Sequence, residues 1–259
     1  MPNTQPIPVV LAGATGKTGS AVGKAVWDAH DMELAAAVAR RHRGVSLGLL
    51  WGIPELTVTL TADLTEIDRD YAVLVDFTEP ESAYPRLVEA ISRGWDIVVG
   101  TTGFSRRERE HLAELVESRQ VGAAVIANFS LGAWVAERLA IEASRYLGQV
   151  EVIEGHHQTK KDRPSGTAKR MAELLADAMG RDVDSIPVHS IRLPGMVAHQ
   201  AVVFGSSGQL ITIRHDVHDR SAYAAGVLAA IRQVHTFRGR VVNDLGEILD
   251  PGRLRPDGP

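Results

Sequence analysis

The sequence contains no cysteine, which excludes disulfide bonds and thiolate metal sites, and no metal ion is expected. It also lacks a run of about 20 apolar residues, so no membrane-spanning helix is predicted. The start of the chain does not combine a charged segment with an apolar one, as a secretory signal would. We therefore expect a cytoplasmic protein that does not associate with membranes.

The chain has no large excess of charge of one sign. Its 28 basic and 32 acidic side chains leave a net charge of −4, and no run rich in lysine and arginine stands out. Nucleic acid is therefore not expected as a partner. A hydrophobic content of 44% over 259 residues is sufficient for a real core in one large domain or two smaller ones.

In the first half of the chain, short apolar strands alternate with helical segments. Strands are predicted at 8–12, 34–39, 73–77, 97–100 and 123–127, and helices at 17–29, 79–93 and 105–118. Continuous apolar strands separated by helices are typical of a parallel sheet covered on both faces. The pattern predicts an α/β domain with a doubly wound parallel sheet.

From residue 128 onward the pattern changes. A helix is predicted at 131–147, a strand at 150–154, a helix after Pro164, and strand-like runs at 188–192, 197–205 and 209–215. Two domains fit this change best, residues 1–127 and 128–220. Residues 221–259 are expected to pack back on the first domain, with a helix at 221–236 and a frayed tail from 250.

A glycine-rich turn follows the first predicted strand directly. It reads Gly13, Ala14, Thr15, Gly16, Lys17, Thr18 and Gly19. Such a turn between a strand and a helix lets the backbone approach a pyrophosphate, although this spacing is looser than the G-x-G-x-x-G fingerprint of dinucleotide-binding folds. A P-loop is disfavoured because Leu11 stands where that motif requires glycine. A purely structural turn remains an alternative.

Position 39 distinguishes between the two nicotinamide dinucleotides. Folds that prefer NAD place an acidic residue near the end of the second strand, where it binds the ribose hydroxyls. This sequence has Ala39 there, followed by Arg40, Arg41 and Arg43, which favours NADPH over NADH. Arg40 is the expected contact of the 2′-phosphate because it lies nearest the strand. A solvated arginine-rich loop remains the alternative.

The most informative stretch is residues 154–168. It contains two adjacent histidines, a lysine four residues after the first of them, and the Pro-Ser-Gly-Thr start of a predicted helix. Helix N-terminal N–H groups and a lysine can hold carboxylates, and a histidine can donate a proton near neutral pH. The spacing therefore suggests a site that binds a small di-acid and gives it a proton. Solvated loop polarity is the alternative on this local pattern alone.

Seven motifs in this order resemble the 4-hydroxy-tetrahydrodipicolinate reductase family, also called dihydrodipicolinate reductase, of the diaminopimelate and lysine pathway. The resemblance covers nearly the whole chain. The motifs are G-A-T-G-K-T-G at 13–19, V-D-F-T-x-P at 75–80, G-T-T-G-F at 100–104, A-N-F-S-L-G at 127–132, E-x-H-H-x-x-K-x-D-x-P-S-G-T-A at 154–168, V-A-H-Q at 197–200 and I-R-H-D-x-x-D-R at 213–220.

The resemblance implies a Rossmann domain, a smaller α+β substrate domain with a mixed four-stranded sheet, and a homotetramer that uses NADPH or NADH. It implies that His156 donates or accepts the proton and that Lys160 is the second catalytic group. The substrate carboxylates would be held by His157, Ser165, Gly166 and Thr167. The cofactor would be bound by residues 13–18 of the glycine turn and by Gly100, Thr101, Thr102, Ala127, Asn128 and Phe129.

Some positions depart from the family pattern. Gln158 and Thr159 precede the lysine where many relatives have a further histidine, Arg163 replaces an alanine, and the connection 180–187 is short. Two alternatives therefore stay open, a paralogous reductase of another cyclic imino acid and a dinucleotide-binding sensor without turnover. The intact His156 and Lys160 argue against the sensor.

Overall fold

The structure is a computed structural model that describes residues 5–250. Within these residues the chain divides into two compact units. The first unit runs to Phe129 and resumes at Tyr223, and the second unit comprises Ser130–Ala222. Both boundaries lie two residues beyond the positions predicted from the change in sequence pattern. Residues 251–259 of the tail predicted from residue 250 lie outside the described residues.

Eleven strands and eight α-helices are found in the described part of the chain. The strands are β1 (Ile7–Ala12), β2 (Met32–Val38), β3 (Leu60–Thr61), β4 (Val73–Asp76), β5 (Asp96–Val99), β6 (Gly122–Val125), β7 (Gln149–His156), β8 (Val188–Arg192), β9 (Ala198–Ser206), β10 (Gln209–Val217) and β11 (Arg240–Val242). The helices are α1 (Lys17–Asp28), α2 (Leu47–Trp51), α3 (Pro80–Ser92), α4 (Arg106–Arg119), α5 (Leu131–Ser144), α6 (Gly166–Met179), α7 (Ala224–Gln233) and α8 (Leu245–Leu249). Among them, no helix is both long and apolar enough to cross a membrane.

The first unit is built on a seven-stranded parallel sheet in the order β11-β6-β5-β4-β1-β2-β3. Strands β4 and β5 are buried along their whole length and β1 is buried from Val9 to Ala12, as the continuous apolar runs predict. Strand β1 pairs with β2 on one side and with β4 on the other. The order in which successive strands are added to the sheet therefore reverses between β1 and β4. Ligands of doubly wound folds bind outside the carboxyl ends of the strands at such a point. The predicted Rossmann architecture is confirmed.

The second unit is a mixed four-stranded sheet in the order β10-β9-β7-β8, also as predicted. Strand β7 pairs in parallel with β8 and antiparallel with β9. Helix α6 packs Met171 and Leu175 into one core with Val152 and Phe204 of the sheet. This packing covers one sheet face and fixes the start of α6 beside the end of β7.

Several predicted elements differ in extent. Strand β7 continues through His156 because its pairing with β8 and β9 does not stop at residue 154 as predicted. The helix predicted at 221–236 consists of α7 between two short 3₁₀ turns, a tightening common at helix ends. Helices α2 and α8 and strands β3 and β11 were not predicted, because elements of two to five residues are too short to show periodicity.

Candidate active site

The glycine turn after β1 requires glycine for steric reasons. Gly13 has φ +89°, and a Cβ atom there would lie 2.6 Å from the carbonyl oxygen of Phe77. A Cβ atom on Gly19 would lie 2.1 Å from the carbonyl oxygen of Gly13. Both neighbours are backbone atoms, which cannot move aside as a flexible side chain would. Only glycine therefore allows α1 to begin this close to the ends of β1 and β4.

The start of α1 is suited to an anion. Its N-cap is Gly16, which provides no side-chain cap, and its first turn contains no acidic residue. The N–H groups of this turn and the helix dipole together favour a bound phosphate. Trp51, which sequence reasoning missed, donates from Nε1 to the carbonyl oxygen of Ala14 at 3.3 Å, and its ring lies against Gly23. This contact anchors the glycine turn from the side of α2.

A buried carboxylate connects the loops that follow β4 and β5. Asp76 is fully buried, and its Oδ1 accepts hydrogen bonds from the N–H of Thr78 at 2.9 Å and the hydroxyl of Thr101 at 2.9 Å. Its Oδ2 pairs with Arg86. Because Thr101 is held in this way, the backbone of residues 100–102 is fixed at the carboxyl edge of the sheet. The sequence motif contained Asp76, but no role was predicted for it.

Aromatic rings lie beside the same loops. The ring of Phe77 lies over Gly100 so closely that a Cβ atom there would be 2.1 Å from a ring carbon. The centroids of the Phe77 and Phe129 rings are 5.9 Å apart. The predicted cofactor residues after β1, β5 and β6 are therefore brought to one edge of the sheet, and Phe77 joins them without having been predicted.

The arginine loop after β2 is only partly free. Arg43 forms an ion pair with Glu66 at 2.7 Å, whereas Arg40 and Arg41 are exposed and have no ion-pair partner among residues 5–250. Ala39 is almost fully buried, and its N–H donates to the carbonyl oxygen of Thr61 at 3.0 Å. Two of the three arginines are therefore available for a ligand at the end of β2.

In the second unit, the end of β7 carries a carboxylate and a histidine on one face. Glu154 and His156 are two residues apart in a strand, so their side chains point the same way. Glu154 is fully buried, and the Nδ1–H of His156 donates to its Oε2 at 2.5 Å. His156 lies at the rim of this cluster, with 13% of its side chain exposed.

An arginine on the neighbouring strand holds the carboxylate. Arg192 lies opposite His156 in the register of β7 and β8, and its side chain is 2% exposed. It donates one hydrogen bond of 2.8 Å to each oxygen of Glu154, and a third of 2.7 Å to the carbonyl oxygen of Asp162. The N–H of Ser165 also donates to Glu154. The pair thus ties the strand end to the loop between β7 and α6.

These contacts set the protonation states of the pair. Burial alone raises the pKa of Glu154, but hydrogen bonds, first among them those from Arg192, outweigh it and lower the pKa from 4.5 to about 2. Burial lowers the pKa of His156, and the hydrogen bond to Glu154 opposes this effect only partly. At neutral pH the cluster therefore consists of an ionised Glu154 and a neutral His156.

The loop between β7 and α6 carries the remaining predicted site residues. Lys160 pairs through Nζ with Oδ1 of Asp162 at 2.8 Å, and Nδ1 of His157 hydrogen bonds the hydroxyl of Thr159 at 2.7 Å. The hydroxyl of Ser165 caps α6 by accepting from the N–H of Ala168 at 3.2 Å. Ser165 is buried, so its side chain serves the helix.

The N-terminus of α6 presents backbone donors. Gly166 is exposed, Thr167 is half-buried, and the first turn contains no acidic residue. A Cβ atom on Gly166 would have no neighbour within 4 Å, so open space lies in front of this turn. An anion could therefore approach the N–H groups of Gly166 and Thr167.

The two downstream motifs lie on β9 and β10. His199 hydrogen bonds Oδ1 of Asp216 through Nδ1 at 2.7 Å, and Arg214 pairs with the same carboxylate. The Nε2 atom of His215 lies 3.2 Å from the hydroxyl of Ser130 at the start of α5. The first contact joins β9 and β10, and the contact between His215 and Ser130 joins β10 to the start of α5. The described residues contain no cluster of His, Asp and Glu that could hold a metal ion.

Comparison with known proteins gives the same result for both units. A family model described as "Dihydrodipicolinate reductase, N-terminus" matches residues 7–129, and one described as "Dihydrodipicolinate reductase, C-terminus" matches residues 132–249. The chain belongs to the dihydrodipicolinate reductase family. Nothing in these comparisons favours the paralogous reductase or the sensor.

Individual members of the reductase family cover almost the whole chain. The chain is 40% identical to a 4-hydroxy-tetrahydrodipicolinate reductase of Synechococcus elongatus, over 91% of this chain and 96% of that protein. It is 42% identical to the enzyme of the same name from Acaryochloris marina, over 90% and 95%. Among solved structures, a dipicolinate-bound dihydrodipicolinate reductase from Paenisporosarcina sp. TG-14 is 31% identical with a TM-score of 0.79, over 94% of this chain and all of that one.

Proposed function

We propose that the chain reduces 4-hydroxy-tetrahydrodipicolinate to tetrahydrodipicolinate with a nicotinamide dinucleotide, in diaminopimelate and lysine biosynthesis. The observation that carries this proposal is that the reductase family match extends over both units, with relatives about 40% identical. Membership in this family and the Rossmann fold make the chain an NAD(P)H-dependent oxidoreductase.

An assay of the purified protein with freshly made 4-hydroxy-tetrahydrodipicolinate tests the proposal, with NADPH consumption followed by absorbance. We expect a kcat/KM in the usual enzyme range of roughly 10⁴–10⁸ M⁻¹s⁻¹. Efficient turnover of another cyclic imino acid, with little turnover of this one, would instead identify a paralogous reductase. Dinucleotide binding without turnover of either substrate would indicate a sensor.

The first unit fits the dinucleotide. The uncapped start of α1 and the close backbone approach at Gly13 suit a diphosphate, which Gly13, Ala14, Thr15, Gly16, Lys17 and Thr18 would hold. Gly100, Thr101, Thr102, Ala127, Asn128 and Phe129 would border the nicotinamide. When bound, the dinucleotide supplies a hydride.

In the second unit, the residues at the end of β7 and the start of α6 would bind the di-acid and protonate it. Reduction of a cyclic imine requires a proton, which Nε2 of His156 would deliver, because Nδ1 is bonded to Glu154. In the neutral ring Nε2 carries no hydrogen, so it would first take up a proton from solvent and then pass it to the substrate. A substrate carboxylate would compete with Asp162 for Nζ of Lys160. The N–H groups of Gly166 and Thr167 and the ring of His157 would hold the carboxylates as well, while Ser165 orders the helix start.

Replacing His156 with glutamine should lower kcat by about 10²-fold or more with little change in KM. General acid catalysis typically contributes 10²–10⁴-fold and acts in the transition state only. His157→Gln is the matched comparison and should mainly raise KM, because we assign the His157 ring to binding of the substrate carboxylates. Steady-state kinetics with both variants measure the difference. Wild-type turnover by His156→Gln would rule out His156 as the proton donor.

Replacing Lys160 with alanine should raise KM for the di-acid at least about tenfold and lower kcat, because a hydrogen bond to a charged group is worth about 1.5–3 kcal/mol. The adjacent Lys161 is exposed and has no ion-pair partner in the described chain, so Lys161→Ala is the control. Substrate titrations of both variants at saturating NADPH measure the effect. Equal KM values for the two variants would place Lys160 outside the substrate site.

We also propose that NADPH binds more tightly than NADH, with Arg40 as the contact of the 2′-phosphate. Arg40→Ala should lower NADPH affinity about ten- to a hundredfold and leave NADH affinity nearly unchanged. Arg43→Ala is the control, because Arg43 is already paired with Glu66. Fluorescence titrations with both dinucleotides measure the ratio. Equal dissociation constants in the wild type would show that these arginines form only a solvated loop.

We further propose that the chain is a cytoplasmic homotetramer. The sheet of the second unit supports self-association, because its strands expose large apolar side chains, 74% for Leu210 and 38% for Ile191. Strand alternation places both on the face opposite the buried Val152 and Val202. Light scattering tests the assembly, and a mass of one chain would contradict it.

A further inference from the structure

Behind the proposed proton donor lies a carboxylate for which neither the sequence nor the family comparison indicates a role. We infer that Glu154 is a positioning residue that fixes the tautomer and orientation of His156 and so leaves Nε2 as the nitrogen that takes up the proton and transfers it. This inference rests on the proposed role of His156. Glu154 would act through His156 and not on the substrate itself, because its side chain is fully buried on the sheet face that α6 covers.

The geometry fixes the tautomer. An ionised carboxylate can only accept hydrogen bonds, so the hydrogen in the 2.5 Å contact belongs to Nδ1 of His156. A neutral imidazole has one N–H only, and its Nε2 therefore carries a lone pair. No described residue hydrogen bonds Nε2, so this nitrogen remains available to a ligand. Without Glu154, the N–H could move to Nε2 and the ring could turn.

Glu154 itself cannot turn. Arg192 donates to both of its oxygens at 2.8 Å, and the N–H of Ser165 donates to Oε1 at 3.3 Å. A carboxylate with bonds to both oxygens is held in one plane, and this plane sets the direction in which His156 points. The same guanidinium bonds the carbonyl oxygen of Asp162, so the loop that carries Lys160 is held by the same contact.

Three charged groups face His156 from the surrounding elements, namely Glu154 on β7, Arg192 on β8 and Lys160 in the following loop. Burial, Lys160 and Arg192 all lower the pKa of His156, and Glu154 alone raises it. Removing the charge of Glu154 therefore disfavours the imidazolium. Because a proton donor acts only in its protonated form, activity that depends on His156 would then be lost at a lower pH.

The test is Glu154→Gln, which keeps the size of the side chain and removes its charge. We expect kcat to fall at least about tenfold near neutral pH, with KM changed less than about threefold. The alkaline limb of the kcat profile should move down by about one pH unit or more. The control is Glu137→Gln, which alters a buried carboxylate on α5 that pairs with Arg170. This control should keep the wild-type profile.

Two outcomes would overturn the inference. One is a folded Glu154→Gln variant whose kcat and pH profile match those of the wild type. The other outcome is measured on the wild-type protein, so it tests the inference even if the Glu154→Gln variant does not fold. Nitrogen-15 spectra of histidine-labelled protein, with the His156 signals identified by their loss in His156→Gln, should show the Nδ1–H tautomer above the imidazole pKa. A major Nε2–H tautomer would exclude positioning by Glu154.

These outcomes also separate this inference from the proposed function. Wild-type turnover by His156→Gln would remove the proton donor, and Glu154 would then have nothing to position. An impaired His156→Gln beside an unaffected Glu154→Gln would leave the proposed function intact and remove only the positioning role.

Discussion

Glu154 is removed from water at the end of β7, and Arg192 compensates for this desolvation with two hydrogen bonds to its carboxylate. A buried carboxylate without such a partner would take up a proton, whereas this pair keeps it ionised. Because it is ionised, it accepts from His156, and because Arg192 also bonds the loop carbonyl of Asp162, the loop position depends on the same pair. The arrangement of the second unit's site therefore follows from one compensated charge.

In the first unit, the predicted site is formed mainly by backbone groups, and a buried carboxylate again connects its loops. Its glycine turn brings backbone to within distances that any Cβ atom would forbid, and the donors it offers are main-chain N–H groups. Asp76 then connects the loops after β4 and β5 through Thr78 and Thr101, as Glu154 connects strand and loop in the second unit. In both units, a candidate site residue hydrogen bonds a buried carboxylate that is paired with an arginine, Thr101 with Asp76 and His156 with Glu154.

The fold could be predicted from the sequence to the extent that its elements are long. Apolar runs and helical periodicity predicted the parallel sheet and its helices, and motif resemblance predicted the mixed sheet. Helix α2 was missed because five residues show no periodicity, and with it the hydrogen bond from Trp51 to Ala14. Arg192 was missed because its partner is 38 residues away in the chain, and strand register alone brings the two together. Glu154 could have been found, since it lies two residues before His156 on one strand face.

The ionised state of Glu154 is the central claim, and the pH dependence of stability tests it most directly. Its pKa is lowered from 4.5 to about 2 in the folded chain, so its contribution to stability is present above pH 4.5 and is lost as the pH falls toward 2. Urea unfolding should be compared with Glu154→Gln/Arg192→Met, which removes both charges of the pair. Between pH 5 and pH 3 the wild type should lose about 2 kcal/mol more unfolding free energy than this variant. A difference between the two proteins that stays constant over this range would show that Glu154 is not held ionised by its partners.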